Sequence, residues 1–216
     1  MLRNLSTKKK LFLLPITFII IVIVSAFVYS HFNSVAEGRI NVASQTDTLI
    51  QQLLKGRISV YQFLRTPSEQ TAQNVRADFK KFDEFLNKLK PQLQEKENID
   101  LANNILDLSK EYINSFDKFY SKKIDEYNNN ILKEGSQTLA IIKEMVDVGL
   151  KLEEKLSLIN ENAIKLKISA DETMNNVLVI IAILSILFFV TFSILLSNQL
   201  IHALNNFQEG LLSFFG

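Results

Sequence analysis

Residues 141–196 read IIKEMVDVGLKLEEKLSLINENAIKLKISADETMNNVLVIIAILSILFFVTFSILL, and within them one rhythm gives way to another. Ile141, Met145, Val148, Leu152, Leu156, Ile159, Ala163 and Leu166 follow one another at steps of three or four. That spacing keeps apolar side chains on one face of a helix packed against a partner, as in a coiled-coil seam. From Val177 to Leu196 the rhythm vanishes, because twenty consecutive residues carry no charge. About 20 such residues, rising ~1.5 Å each, cross the ~30 Å hydrocarbon core of a bilayer. The other reading is a buried core helix, but a soluble domain of this size has little interior for a helix apolar on every face. The stretch therefore predicts a packed helix that runs on into a membrane span over 176–197.

Toward the amino terminus a second uncharged stretch, Leu11–Ala36, is almost wholly apolar as far as Tyr29, and it predicts a span over 11–31. Arg3, Lys8, Lys9 and Lys10 precede it in a basic segment, 1–10, that the positive-inside bias holds in the cytoplasm. A cleavable signal peptide is the alternative, since Val24-Ser25-Ala26 has the small-residue character of a cleavage site. The continuation of the apolar run through Phe27-Val28-Tyr29 favours an uncleaved anchor. With the amino terminus inside, residues 32–175 lie outside and 198–216 return to the cytoplasm. One feature opposes this: no Lys or Arg follows Lys167, so the basic residues nearest the second span lie on its outer side. Long translocated segments largely escape the charge rule, so the first span decides.

Between the spans the stripes continue. Val42, Thr46, Leu49, Leu53, Gly56 and Val60 form one; Val75, Phe79, Phe82, Leu86, Leu89 and Leu93 a second; Leu101, Ile105, Leu108, Tyr112, Phe116 and Phe119 a third. Nothing alternates with period two, which excludes a strand-rich fold. Thr66-Pro67-Ser68-Glu69 predicts a capping box with Thr66 as cap and Pro67 first in the helix. Asn98 is expected to cap the next helix, and Asn128-Asn129-Asn130 through Gly135-Ser136 to form the last turn, with Ser136 as cap. Helices are thus predicted over about 32–65, 67–94, 98–130 and 136–175. The fold class expected is all-α, an antiparallel four-helix bundle (up-down-up-down) continuous with two transmembrane helices.

The 24 Lys+Arg and 23 Asp+Glu nearly cancel, and no concentrated basic face marks a nucleic-acid partner. The absence of cysteine excludes disulfides, thiolate metal sites and a Cys nucleophile. His31 and His202 fall beyond different spans and cannot share a metal. No Gly-rich phosphate loop, nucleophile elbow or metal-ligand spacing occurs, so no catalytic residue, metal or cofactor is expected. Adjacent carboxylates such as Glu153-Glu154 diverge around a helix and read as a solvated face. Gly56 and Gly149 lie in or beside the packing stripes and suit close helix contact.

All five arginines lie at or before Arg76. Arg57, Tyr61 and Arg65 share one helix face, and an antiparallel neighbour brings Arg76 to a similar height. Guanidinium forks in such a group hold a small carboxylate bidentately, with Tyr61 adding a hydroxyl or ring face. The alternative is that these arginines are solvated or paired with Glu69, Asp78 and their neighbours.

Gly56-Arg57-Ile58-Ser59-Val60-Tyr61-Gln62-Phe63-Leu64-Arg65-Thr66-Pro67 resembles the first-helix tip of the methyl-accepting chemotaxis receptors. Leu204-Asn205-Asn206-Phe207-Gln208-Glu209-Gly210-Leu211-Leu212-Ser213-Phe214-Phe215 is similar to the post-membrane segment of one branch of them. The order of basic terminus, span, helical domain and span is theirs too. The resemblance implies a receptor of the bacterial inner membrane and a homodimer. It also implies binding of a small amino or organic acid near the distal end, and signalling by helix displacement. Two departures stand out: 198–216 is a HAMP-like linker only in its first half and lacks the usual proline, and the cytoplasmic coiled coil with its kinase-contacting tip is missing. The expectation is a truncated receptor or a fragment, reaching a kinase or adaptor only through a missing signalling region. Two other readings stay open: the input module of a sensor histidine kinase or cyclic-dinucleotide enzyme, and a stand-alone membrane-tethered helical scaffold.

Overall fold

Proline, asparagine and short polar runs divide the chain into helices. The computed structural model describes residues 7–131 and 135–215; Arg3 of the basic flank, residues 132–134 of the last predicted turn and Gly216 lie outside them. Helix α1 runs Thr7–Arg65, α2 Glu69–Leu89, α3 Lys96–Asn128 and α4 Ser136–Phe215, with one 3-10 turn at Lys90–Gln92. The chain is all-α, and no strand occurs among the described residues.

The helix boundaries correct three expectations. Ser68, not Thr66, caps α2: its extended backbone lets its side chain accept from the Thr71 amide, while the Thr71 hydroxyl accepts from the Ser68 amide. Thr66 instead closes α1, its amide donating to the Gln62 carbonyl at 2.9 Å. Helix α3 begins at Lys96, and Asn98 is buried, accepting from the Asn162 amide at 3.0 Å rather than capping. Ser136 is the first residue of α4, and Gly135 precedes it as the acceptor for the Leu139 amide at 3.0 Å. After α3 the chain turns at residues 129–131. Asn130 takes the left-handed φ of 53°, and the Ile131 and Asn130 amides return to the Glu126 and Tyr127 carbonyls, a Schellman closure.

By contact the chain divides into two compact units, one of residues 36–168 and one of 1–35 with 169–216. In the first, the second stripe is buried throughout, and so are the apolar members of the first and Met145–Ala163 of the fourth. Of the third stripe, Ile105, Tyr112, Phe116 and Phe119 are buried, with Leu101 and Leu108 packed against them. Polar side chains fix each helix pair. Between α1 and α2 the Ser59 hydroxyl donates to Asp78 at 2.6 Å and the Gln52 amide to the Asp78 carbonyl at 2.9 Å; Arg39 reaches Glu95 at 2.8 Å beyond the 3-10 turn. Ser109 donates to Asp83 (2.6 Å) and Arg76 to Asp117 (3.0 Å) between α2 and α3. Ser115 donates to Glu144 (2.9 Å) and Thr138 to Glu126 (2.8 Å) between α3 and α4. Arg57 meets Glu153 (3.0 Å) and Asn160 meets Asp47 (2.6 Å) between α1 and α4. Within each pair the numbers rise on one helix as they fall on the other. Gly56 packs tightly against α2: a Cβ there would sit 2.8 Å from the Phe79 ring.

The second unit is exposed and apolar. From Phe12 to Tyr29 no residue is buried, and from Val177 to Leu196 only Phe192 is. Phe18 and Phe189 meet at 6.4 Å between ring centroids, and Phe188 stacks on Phe192 at 5.7 Å. The Thr17 and Ser185 hydroxyls donate back to the Leu13 and Ile181 carbonyls, which satisfies them inside an apolar helix. Helices α1 and α4 each contain a segment long and apolar enough to cross a membrane.

Candidate functional site

The first half of the site is α1 itself. Arg57, Tyr61 and Arg65 occupy successive turns, but they meet different surroundings. Arg57 lies between α1 and α4, its guanidinium 3.0 Å from the half-exposed Glu153 carboxylate. Tyr61 and Arg65 are exposed. Arg76 turns to α3, where Asp117 holds it at 2.9 Å, Glu69 lies 3.8 Å away, and its guanidinium covers the Tyr120 ring at 4.9 Å. The structure thus brings Arg57 and Tyr61 to one place, and puts Arg76 on another flank. The reason is angular. Ser59 is the α1 residue that faces Asp78 on α2, and Arg57 lies two positions from it, about 200° round the helix.

Beside Arg57 there is a small pocket of about 30 Å³, room for about one water. Its walls are apolar: Val60 and Leu64 from α1, Phe119 from α3, and Ile142, Met145 and Val146 from α4. Arg57, Tyr61 and Tyr112 supply its polar atoms. Gly149 leaves space at its edge, since a Cβ there would touch the Tyr112 ring at 3.5 Å and the Arg57 side chain at 3.8 Å. Burial pushes the Tyr112 phenol up to about 12, with the Arg57 charge opposing part of that rise. The hydroxyl is therefore neutral across the physiological range, while Arg57 carries the site's positive charge.

Two other polar places lie on the helix surfaces. On the α2–α3 side, Tyr120 donates to Glu69; that hydrogen bond lowers the Glu69 carboxyl and raises the Tyr120 phenol. Arg76 is spent there as a brace. Between α1 and α2 a more open groove of about 400 Å³ is lined by Lys55, Ser59, Gln62, Asn74, Asp78 and Lys81 among others. Its carboxylate is already taken, Asp78 accepting from Ser59 at 2.6 Å and lying 3.6 Å from Lys55. No cluster of three or more His, Asp or Glu residues able to hold a metal occurs among the described residues.

Sequence reasoning missed Tyr112, Phe119 and Glu153 as neighbours of Arg57. Tyr112 was visible as the tyrosine in an otherwise apolar stripe; Glu153 was indistinguishable from the solvated carboxylates beside it. No family model, no curated protein and no solved structure matches the chain.

Proposed function

We propose that the chain is the sensory and membrane-spanning part of a chemoreceptor of the methyl-accepting type. In this reading the four helices form an up-down-up-down bundle outside a bacterial inner membrane. The chain crosses that membrane twice, both termini are cytoplasmic, and two copies form the working dimer. The observation that carries the reading is continuity. Two of the three helices that line the Arg57 pocket, α1 and α4, run on into segments apolar enough to span a bilayer, and the third is α3. A small carboxylate held by Arg57 would favour one packing of α4 against α1, and a shift of α4 would be carried into its span. The effect is limited to the ligand's difference in affinity between the two packings. Control of a kinase through an adaptor would require a cytoplasmic signalling region. The same module would serve a histidine kinase or cyclic-dinucleotide enzyme equally well.

A second reading, a helical scaffold with no small-molecule ligand, is favoured by one observation: Arg57 and Arg76 already have carboxylate partners in the chain itself. One experiment separates the two. The chain has no cysteine, so the pair D47C and N160C, at a contact of 2.6 Å between α1 and α4, is a unique disulfide reporter. In nanodiscs, an acid that is sensed changes the rate of disulfide formation severalfold, and Arg57→Ala removes the change. A rate unmoved by every acid in a broad panel leaves the scaffold.

A further inference from the structure

We propose that the Arg57 pocket takes a monocarboxylate with an apolar body, aromatic or short-chain aliphatic, in preference to a dicarboxylate or a polar amino acid. This rests on the sensory reading above and names the ligand class of the same site. The pocket holds one full charge, Arg57, at its edge, and its walls are the side chains of Val60, Leu64, Phe119, Ile142 and Met145. Arg65 and Arg76 do not line it. A second carboxylate or an ammonium would therefore be pressed against hydrocarbon without a partner, and an unpaired buried charge is strongly disfavoured. An apolar body gains from the same walls.

The geometry also shows what the ligand displaces. Its carboxylate takes the place of Glu153, whose half-exposed side chain returns to water at little cost. Tyr112, neutral and lining the pocket, is a further hydrogen-bond donor for it. The pocket as it stands holds about one water, so its rim must open. Tyr61 and Val146 form that rim, 61% and 41% exposed, and Met145 behind them is unbranched and adapts to the shape of what enters. The ligand then touches α1, α3 and α4 at once.

The test uses the full chain in nanodiscs with 4-fluorobenzoate as probe, read by fluorine NMR relaxation, empty nanodiscs correcting for partition into lipid. The probe is expected to bind the unmodified chain and to be displaced by hexanoate but not by succinate. Arg57→Gln should weaken it on the order of 10- to 100-fold, the loss of a charged hydrogen bond. Arg57→Lys, which keeps the charge but not the fork, should weaken it less. Val146→Trp fills the rim from an exposed position and should also block the probe, with the helical melting curve retained. Equal binding to all three variants would place the probe elsewhere and overturn the assignment. Binding and displacement by succinate with none by fluorobenzoate or hexanoate would overturn the ligand class and leave the acid-sensing reading standing. If neither kind of acid binds, both fail.

Discussion

Tyr112 shows how much a single position combines. It sits in the third apolar stripe, is 4% exposed, and stacks on Phe79 with ring centroids 4.5 Å apart. Its phenol is pushed up to about 12 from 10.0, chiefly by burial. A phenol whose folded value lies above its unfolded one contributes fully below about pH 10, and that contribution is lost as the pH climbs through the folded value. A rise of two pH units corresponds to about 2–3 kcal/mol. Between pH 9 and pH 12 the native protein should therefore lose that much more stability than a Tyr112→Phe variant, followed by thermal unfolding of both at each pH. Parallel curves would mean that the hydroxyl is hydrated or partnered in the folded state. The stripe was legible from the sequence because apolar spacing reports which face is buried. The pairing of Arg57 with Glu153 was not, because a charged residue's partner depends on helix rotation, and two positions along α1 separate the α2 face from the α4 face.

At the scale of the element, the caps test how α2 begins. Ser68 and Thr71 exchange reciprocal bonds, 3.2 Å from the Thr71 amide to the Ser68 hydroxyl and 3.1 Å from the Ser68 amide to the Thr71 hydroxyl. Ser68→Ala should cost about 1 kcal/mol. Hydrogen exchange at the Thr71 amide should rise roughly fivefold. Thr66→Ala should change little, within about 0.5 kcal/mol, because the Thr66 side chain holds no cap. The reverse pattern would restore the boundary that Thr66-Pro67-Ser68-Glu69 suggests on its face. That motif misleads because two hydroxyl residues compete for the cap: Ser68 is extended and Thr71 answers it, while the Glu69 carboxylate that would answer Thr66 accepts from Tyr120. Asn98 misled in another way. An asparagine near a helix start reads as a cap, yet this one is 1% exposed and its side-chain oxygen accepts from Asn162 on α4. Element existence was legible from periodicity; element ends depend on two or three local hydrogen bonds that several polar residues compete to make.

At the scale of the whole molecule, the two apolar stretches expose a surface that suits a bilayer. Side chains such as Phe27 (73% exposed) and Ile186 (63%) recur through both, so an aqueous surface would carry a contiguous apolar area far beyond what soluble monomers show. A bilayer removes that conflict, and in the proposed topology charge sets the orientation. Lys8, Lys9 and Lys10 adjoin the first stretch, whereas Lys165 and Lys167 lie before the second and 197–216 hold no Lys or Arg. The two stretches thus make opposed demands on the positive-inside bias, and the proposed topology requires the first to prevail. A phosphatase active only outside the cytoplasm, inserted at Asn129 in the turn after α3, should be active, and a fusion at Gly210 should be silent. Changing Lys8, Lys9 and Lys10 together to Glu should then lower the Asn129 signal, because Arg3 alone would remain to oppose the second stretch's inverted bias. An Asn129 insertion silent from the start would put the bundle in the cytoplasm, with the pocket open to intracellular acids instead. An Asn129 signal that survives the triple change would mean that the apolar stretches set the orientation without help from the amino-terminal lysines.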